Sequence, residues 1–558
     1  MRPGSVIAAA VCVLGACSSS PKRDDGGVTP DRPRYEAGRP PGCGNGKLDP
    51  DESCDGEELD GQTCVSLGYL GGSLACHENC RFDESGCSRC GDGVLQKGED
   101  CDSAELGGAT CVSLGFTGGT LACKQTCEHD TTRCTSSAPG EATVVYGSAT
   151  AVVAQRMDTA TGSWSKQTLA NEAGTRWAVS HTSPSDPSRA VAAVAVQLIG
   201  GVDLLLFHDD GKAWVQNATI PINALDPSFR AFDVVYQDKS GVPLLVYSNG
   251  TSNPMFRTFD GTSWSTEQTV FLKPPGTTPV RWVKLAVRPR TDEVALVYSD
   301  EKTLLHAVIW DGKSFREAET KATLASEAMG YKGRSFDAVY EDQSGDLLVV
   351  NGDDCCSCFG YYWRKPDKWT SPGNEPYIWE GGGPCGRWKL QRLAALRGSD
   401  AVALAGDEAT AVIWGGAAFY GGTITWPGPM IHDNRTIWAD VAWVGSQPTA
   451  VLVHRGWTDS TMPEGRGRLH WLRSQPGGAW LRGKPHVVKA MGELVQVRLM
   501  AYPAEDRVFA AFSDDQGRLF AATYDLGKGW VAANSGAPVA TDLASATDTR
   551  PFSVHINQ

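Results

Sequence analysis

Eight times between residues 162 and 530 a glycine or aspartate turn is followed within three residues by an aromatic: Gly162 to Trp164, Gly211 to Trp214, Gly261 to Trp264, Gly312 to Phe315, Asp367 to Trp369, Gly416 to Phe419, Gly478 to Trp480 and Gly527 to Trp530. The aromatics lie 50, 50, 51, 54, 50, 61 and 50 residues apart. A period near 50 commits the chain to stacked units that bury their faces only against one another. A second series runs between the turns, in which an arginine stands at or near an aromatic that opens an apolar strand: Arg176-Trp177, Arg230 to Phe232, Arg281-Trp282, Arg334 to Phe336, Arg387-Trp388, Arg435 to Trp438, a degenerate Val497-Arg498, and Arg550 to Phe552. Between the two markers lie runs such as Val234 to Gln237 and Leu244 to Tyr247, separated by Asp238-Lys239-Ser240-Gly241, so each unit holds four short strands joined by turn chemistry. Four strands per unit is a propeller blade.

The phase of the two series predicts how the ring closes. The first outer turn, at Trp164, has no arginine–aromatic strand before it, and the last such strand, at Phe552, has no outer turn after it. The strand at 550–557 therefore completes the blade begun by residues 142–168, which leaves no unpaired edge exposed. The expected fold is mainly β: an eight-bladed β-propeller over residues 137–558, with seven blades as the alternative if the copy at Val497 is not a blade. With 63 glycines, 18 tryptophans and no long pattern of period 3.6, the chain should contain very little helix.

Ahead of the array the cysteines repeat. They fall at Cys43, Cys54, Cys64, Cys76, Cys80 and Cys87, then at Cys90, Cys101, Cys111, Cys123, Cys127 and Cys134, with the same gaps of 11, 10, 12, 4 and 7. The text repeats too, Thr63-Cys64-Val65-Ser66-Leu67-Gly68-Tyr69 returning as Thr110-Cys111-Val112-Ser113-Leu114-Gly115-Phe116. Two modules, 43–89 and 90–136, are each too small for an adequate core, so six cysteines apiece imply three disulfides. Fifteen connectivities per module remain open. The short paired spacings of zinc ribbons are absent within either repeat. The openings Cys43-Gly44-Asn45-Gly46 and Cys90-Gly91-Asp92-Gly93, with Glu52-Ser53-Cys54-Asp55 and Glu99-Asp100-Cys101-Asp102 downstream, resemble the Cys-rich repeats of surface lipoproteins of myxobacteria and their relatives. Asn45, Glu52 and Asp55, with Asp92, Glu99 and Asp102, recur at equal spacing and are weak candidates for calcium ligands; turn-forming roles compete with that reading.

Residues 1–17 carry a charged start, an apolar run from Val6 to Val13, and Leu14-Gly15-Ala16-Cys17. These zones are those of an export signal, and the last four residues resemble the lipobox of bacterial lipoproteins, which implies that Cys17 is the lipid-attachment site. The polar stretch 18–42 has almost nothing to bury and reads as a tether. No later segment is long and apolar enough for a spanning helix. The expected location is the cell envelope, at the outer membrane or cell surface, with the membrane engaged by lipid alone. The formal charge of −14, with no compensating basic cluster, argues against nucleic acid as a partner.

No nucleophile elbow, phosphate loop or paired metal-binding histidines occur, and no cofactor or metal is expected. The turn Asp209-Asp210-Gly211-Lys212-Ala213-Trp214 resembles the Asp-box of sialidases, and hairpins such as Asp260 to Trp264 are similar to those of fucose-binding propeller lectins. The sialidase resemblance implies that Arg230, Arg281, Arg334 and Arg387 could form an anion site at one end of the channel, although residues repeated in nearly every blade also suit blade-to-blade contacts. The fifth unit inserts Cys355-Cys356-Ser357-Cys358, then Trp363, Tyr377 and Trp379, then Cys385; four cysteines there suggest two further disulfides around an aromatic loop, and Trp457 stands in a longer segment of the seventh unit. These arginines and aromatics are the candidate ligand-binding residues, and no catalytic residue is assigned. The expected function is a monomeric, surface-anchored binding or adhesion lipoprotein that recognises a protein or glycan without catalysis. A polysaccharide hydrolase or lyase and a structural envelope spacer are the alternatives.

Overall fold

The structure is a computed structural model. It describes most of residues 42–557 apart from a set of short connections and the longer segments 322–333, 352–359, 371–390, 421–438 and 455–466. Cys17, Cys90, Asp92, Glu99, Cys355, Cys356, Cys358, Tyr377, Trp379, Cys385, Arg387 and Trp457 lie outside the described residues. The chain divides into two compact units, residues 1–92 and 93–558.

In the first unit, Cys43 is bonded to Cys80 and Cys54 to Cys76, and Cys64 is also disulfide-bonded. Asp55 is buried and its carboxylate accepts the backbone N–H groups of Gly44, Gly46 and Lys47. Glu52 accepts from the Asp49 N–H, and the side-chain oxygen of Asn45 accepts from the Lys47 N–H. The repeated acidic and amide positions of this module thus hold its turns. In the second unit Cys101 is bonded to Cys123, at the spacing of Cys54 and Cys76, and Cys111 and Cys127 are disulfide-bonded. Cys87 and Cys134 fall in equivalent two-residue strands.

The rest of the second unit is eight antiparallel sheets. Blade 1 joins Glu141–Gly147, Val152–Met157 and Trp164–Ala170 to the C-terminal strand Phe552–Asn557. The innermost strands of blades 2 to 8 are Thr175–Thr182, Phe232–Tyr236, Val280–Val287, Phe336–Tyr340, Gln391–Ala395, Ala439–Val444 and Leu494–Ala501. Each packs beside the innermost strand of the next blade, and the last packs beside Phe552–Asn557, so the ring is closed. Eight blades are present; the copy at Val497-Arg498 lies on a regular inner strand, and blade 7 adds a short strand, His486–Val487.

Burial explains why the sequence runs as it does. The second strand of a blade has neighbours on both faces, and Ala190–Leu198 accordingly has its first seven residues buried. The outer strand Trp164–Ala170, with a neighbour on one side only, has no fully buried residue. All eight marker aromatics stand at or near the start of the outermost strand of their blade. The turn before it is held by an aspartate: Asp210 Oδ1 accepts the N–H groups of Lys212 and Ala213, and Asp260 and Asp311 do the same for the residues two and three ahead. Gly211 has φ +88°, which the tight reversal requires. The Asp-box-like turn is therefore an outer hairpin that shapes its blade.

The blades are of two kinds in alternation. In blades 3 and 5 the first inner turn, led by Asp238 and Asp342, reaches across to the next blade: Asp238 and Lys239 donate to Thr291 O while Ser240 donates to Asp292, and Asp342 and Gln343 donate to Ser399 O while Ser344 donates to Asp400. Inner strands 2, 4 and 8 share a bulge at Thr175/Trp177, Val280/Trp282 and Leu494/Gln496. The repeating unit is thus a pair of blades.

Gln237 and Glu341 occupy one position in this pair unit. Gln237 Oε1 accepts from Trp310 Nε1, and Glu341 accepts from Trp414 Nε1 and Ser344 Oγ. Burial pushes the Glu341 carboxyl up to about 7, with Asp400 and Asp346 adding to the shift against the two hydrogen bonds. An acid whose folded value is raised loses stability as pH climbs from its ordinary 4.5 through 7. Glu341→Gln, which copies Gln237, should flatten that slope in denaturant unfolding and stabilise the protein at pH 8 by roughly 2–3 kcal/mol.

Closure rests on the pairing of Phe552–Asn557 with Tyr146 to Glu141, and Phe552, Val554 and Ile556 are buried against Tyr146, Val144 and Phe509. Phe552→Ala should cost about 3–5 kcal/mol of stability. Deleting residues 550–558 should leave an open edge, read as association in size-exclusion chromatography.

Candidate functional site

The innermost strands bring a ring of charge to the channel wall. Asp233 of blade 3, Asp337 of blade 5 and Asp440 of blade 7 stand at equivalent positions, with Ser553 in blade 1. Each accepts a backbone N–H from the inner strand of the following blade: Leu285 to Asp233 at 2.9 Å, Leu393 to Asp337 at 3.1 Å, Leu499 to Asp440 at 2.9 Å and Ser180 to Ser553 at 2.9 Å. The residue just before each donor is Lys284 in blade 4, Arg392 in blade 6, Arg498 in blade 8 and Val179 in blade 2. Odd blades carry the acceptor and even blades the cation, except in the pair formed by blades 1 and 2, which is uncharged at both positions.

Arg230 and Arg334 add to this ring from the entrances of strands 3 and 5. Arg230 Nη2 donates to Val283 O at 3.0 Å and its Nη1 lies 3.4 Å from Asp233. Arg334 Nη2 lies 3.0 Å from Asp337, which Lys284 Nζ also approaches at 3.8 Å, and Arg498 Nη1 is 3.9 Å from Asp440. Among the described residues, five cations thus face three carboxylates. The Arg334 and Arg498 charges both bear on Arg230, across blades 3, 5 and 8.

Their acidities follow. Burial pushes the Arg230 guanidinium down to about 10 and that of Arg392 down to about 9, in both cases with Arg334 and Arg498 adding repulsion. Lys284 and Arg498 are lowered, first by burial. For Asp337, burial is outweighed by Arg334, Lys284 and Arg392, which hold its carboxyl at about 2. Asp440 is raised, burial exceeding the pull of Arg498 and Arg392. At the uncharged pair, Ser180 Oγ meets Ser553 Oγ at 3.1 Å and His555 Nδ1 at 2.8 Å. Burial drives His555 down to about 3, so its ring is neutral at physiological pH.

The expected site residues are therefore divided. Arg230 and Arg334 are in the channel cluster. Arg281 is not; its guanidinium lies 4.7 Å from the Phe229 ring centroid. Trp363 is in the strand Gly360–Lys365 and packs between blades 5 and 6, 5.9 Å from the Trp414 ring and under the Lys365 amine, so it is a packing residue rather than part of a binding loop. Sequence reading missed Lys284, Arg392, Arg498 and the three aspartates. The signal for two of them was present, since Arg230-Ala231-Phe232-Asp233 returns as Arg334-Ser335-Phe336-Asp337.

A second concavity, of about 210 Å³, lies between blades 1 and 2, lined by Asn171, Glu172, Asp203, Gln216 and Thr219 against an apolar wall of Leu198 and Leu205. It holds no basic residue.

No family model matches the chain, and no curated protein does. Among solved structures it is similar to the BP39L lectin of Burkholderia pseudomallei, at 11% identity over 66% of this chain and 99% of the lectin, with a TM-score of 0.45. It is also similar to a lectin of Aleuria aurantia in complex with Fucα1-6GlcNAc, at 12% identity over 56% and 99%, TM-score 0.31. AztD of Citrobacter koseri matches at 10% identity over 75% and 99%, TM-score 0.39. Likenesses of this extent say nothing about what this chain binds.

Asp337→Asn should leave Arg334 and Lys284 without their buried counter-charge and cost about 3–5 kcal/mol. Asp337's contribution is full above the ordinary carboxylate value of 3.8 and lost as pH falls through about 2. Acid unfolding of the variant should lack that part of the slope.

Proposed function

We propose that this chain is a lipid-anchored protein of the bacterial envelope whose propeller binds a glycan or protein without transforming it. One observation carries the reading. The three channel carboxylates, the groups that a hydrolase would use as acid, base or nucleophile, are each engaged by a neighbouring blade's backbone and faced by cations, so their work is structural. Among the described residues the channel wall carries more cations than carboxylates, an arrangement suited to recognition rather than cleavage. The cavity between blades 1 and 2 supports the same reading, because carboxylates and amides beside an apolar wall suit the hydroxyls and C–H face of a sugar. The Cys-rich modules and the tether fit display outside the cytoplasm, with lipid on Cys17 as the anchor.

The mature chain with Cys17→Ser should be water-soluble, whereas the unaltered protein labels with fatty acid and fractionates with membranes. On a glycan array the soluble form should bind a restricted set of structures and release no reducing ends or unsaturated products from them. Turnover of any bound polysaccharide would overturn the non-catalytic reading.

A further inference from the structure

The binding reading leaves the ligand's chemistry open, and the channel narrows it. Arg334 is 5% exposed, yet its Nε and Nη1 have no hydrogen-bond partner, and only Nη2 meets a carboxylate. A buried guanidinium with two unmatched N–H groups is costly, and more so beside other cations. Arg230 and Arg392 both feel the Arg334 charge as a repulsion, and the same holds for Lys284 and Arg498. The three carboxylates cannot relieve this, since each already takes a backbone N–H and at least one cation. Arg334 thus keeps two buried N–H groups unmatched beside the Lys284 ammonium, with which it shares Asp337.

We infer that the channel is an anion site: a carboxylate, sulfate or phosphate group sits against Arg334, within reach of Lys284 and Arg498. Those two side chains are about a quarter exposed, at 27% and 25%, and mark the solvent-accessible side of the cluster. The anion lies off-centre, on the side of blades 3 to 8, because blades 1 and 2 present Ser553 and Val179 where the other pairs present aspartate and cation. An uncharged remainder of the ligand, such as the hydroxylated ring of an acidic sugar, faces that neutral sector. The identity of a natural ligand as an acidic glycan rests on the binding reading above; the anion site itself does not.

The test uses the full mature chain with Cys17→Ser. Sodium sulfate titrated at constant ionic strength against chloride should raise Tm saturably, and calorimetry should give a single site. Arg334→Gln should weaken sulfate binding at least tenfold. Lys284→Gln, at a more exposed position, should fold normally and weaken it severalfold, which keeps the test decisive if the arginine variant is unstable. Arg290→Gln, removing a cation that pairs with Asp342 in an exposed turn, should leave binding unchanged. An oligogalacturonate that competes with sulfate identifies the source as an acidic glycan, while binding of sulfate alone identifies a free anion; both support the site. Absence of a saturable sulfate effect, or equal binding in wild type, Arg334→Gln and Lys284→Gln, would overturn it, whatever the glycan array shows.

Discussion

The carboxylate that one blade extends to the backbone of the next is the contact on which this architecture turns. A propeller has little covalent continuity near its axis, where eight separate inner strands meet. Asp233, Asp337 and Asp440, with Ser553, join those strands by hydrogen bonds from Leu285, Leu393, Leu499 and Ser180. A carboxylate can do this at a buried position only if cations compensate it. The cations then have to stand on the neighbouring inner strands, and the channel acquires its charge as a by-product of holding the ring together. On the proposed reading, structure and recognition share one set of residues.

That sharing also explains an apparent mismatch of sign. The chain as a whole carries a formal charge of −14, while the described channel groups sum to a positive excess. At low ionic strength the outer field would slow an approaching anion, and salt screens exposed charge over about 8 Å at physiological strength. Inside the channel the charges are buried and screened far less. Selectivity for an anion would therefore lie in the dwell time more than in the encounter.

Much of the fold was legible in the chain because the periodic features sit where backbone geometry demands them. The aspartate and glycine of the outer hairpins, the aromatic that follows, and the phase difference between Trp164 and Phe552 specify four-stranded units and their closure. The degenerate Val497-Arg498 copy lacks the aromatic but keeps the bulge and the cation, so it forms a full blade. The site was legible only in part. Arg230 and Arg334 stand out as repeated arginines, but Arg281 belongs to the same series and lies against Phe229 instead, while Trp363, read as part of an inserted aromatic loop, packs against Trp414. Lys284, Arg392 and Arg498 belong to one set only through register: a strand's direction and bulge decide which side chain reaches the axis, and no short motif encodes that.

The alternation of acceptor-bearing and cation-bearing blades has a consequence for how such a ring can change. Losing any one of blades 4 to 7 would set two acceptors, or two cations, side by side and leave a buried charge uncompensated. Growth or contraction by whole pairs preserves the pattern. The charged part of the circle is therefore a series of doublets, each of roughly a hundred residues, rather than of interchangeable single sheets.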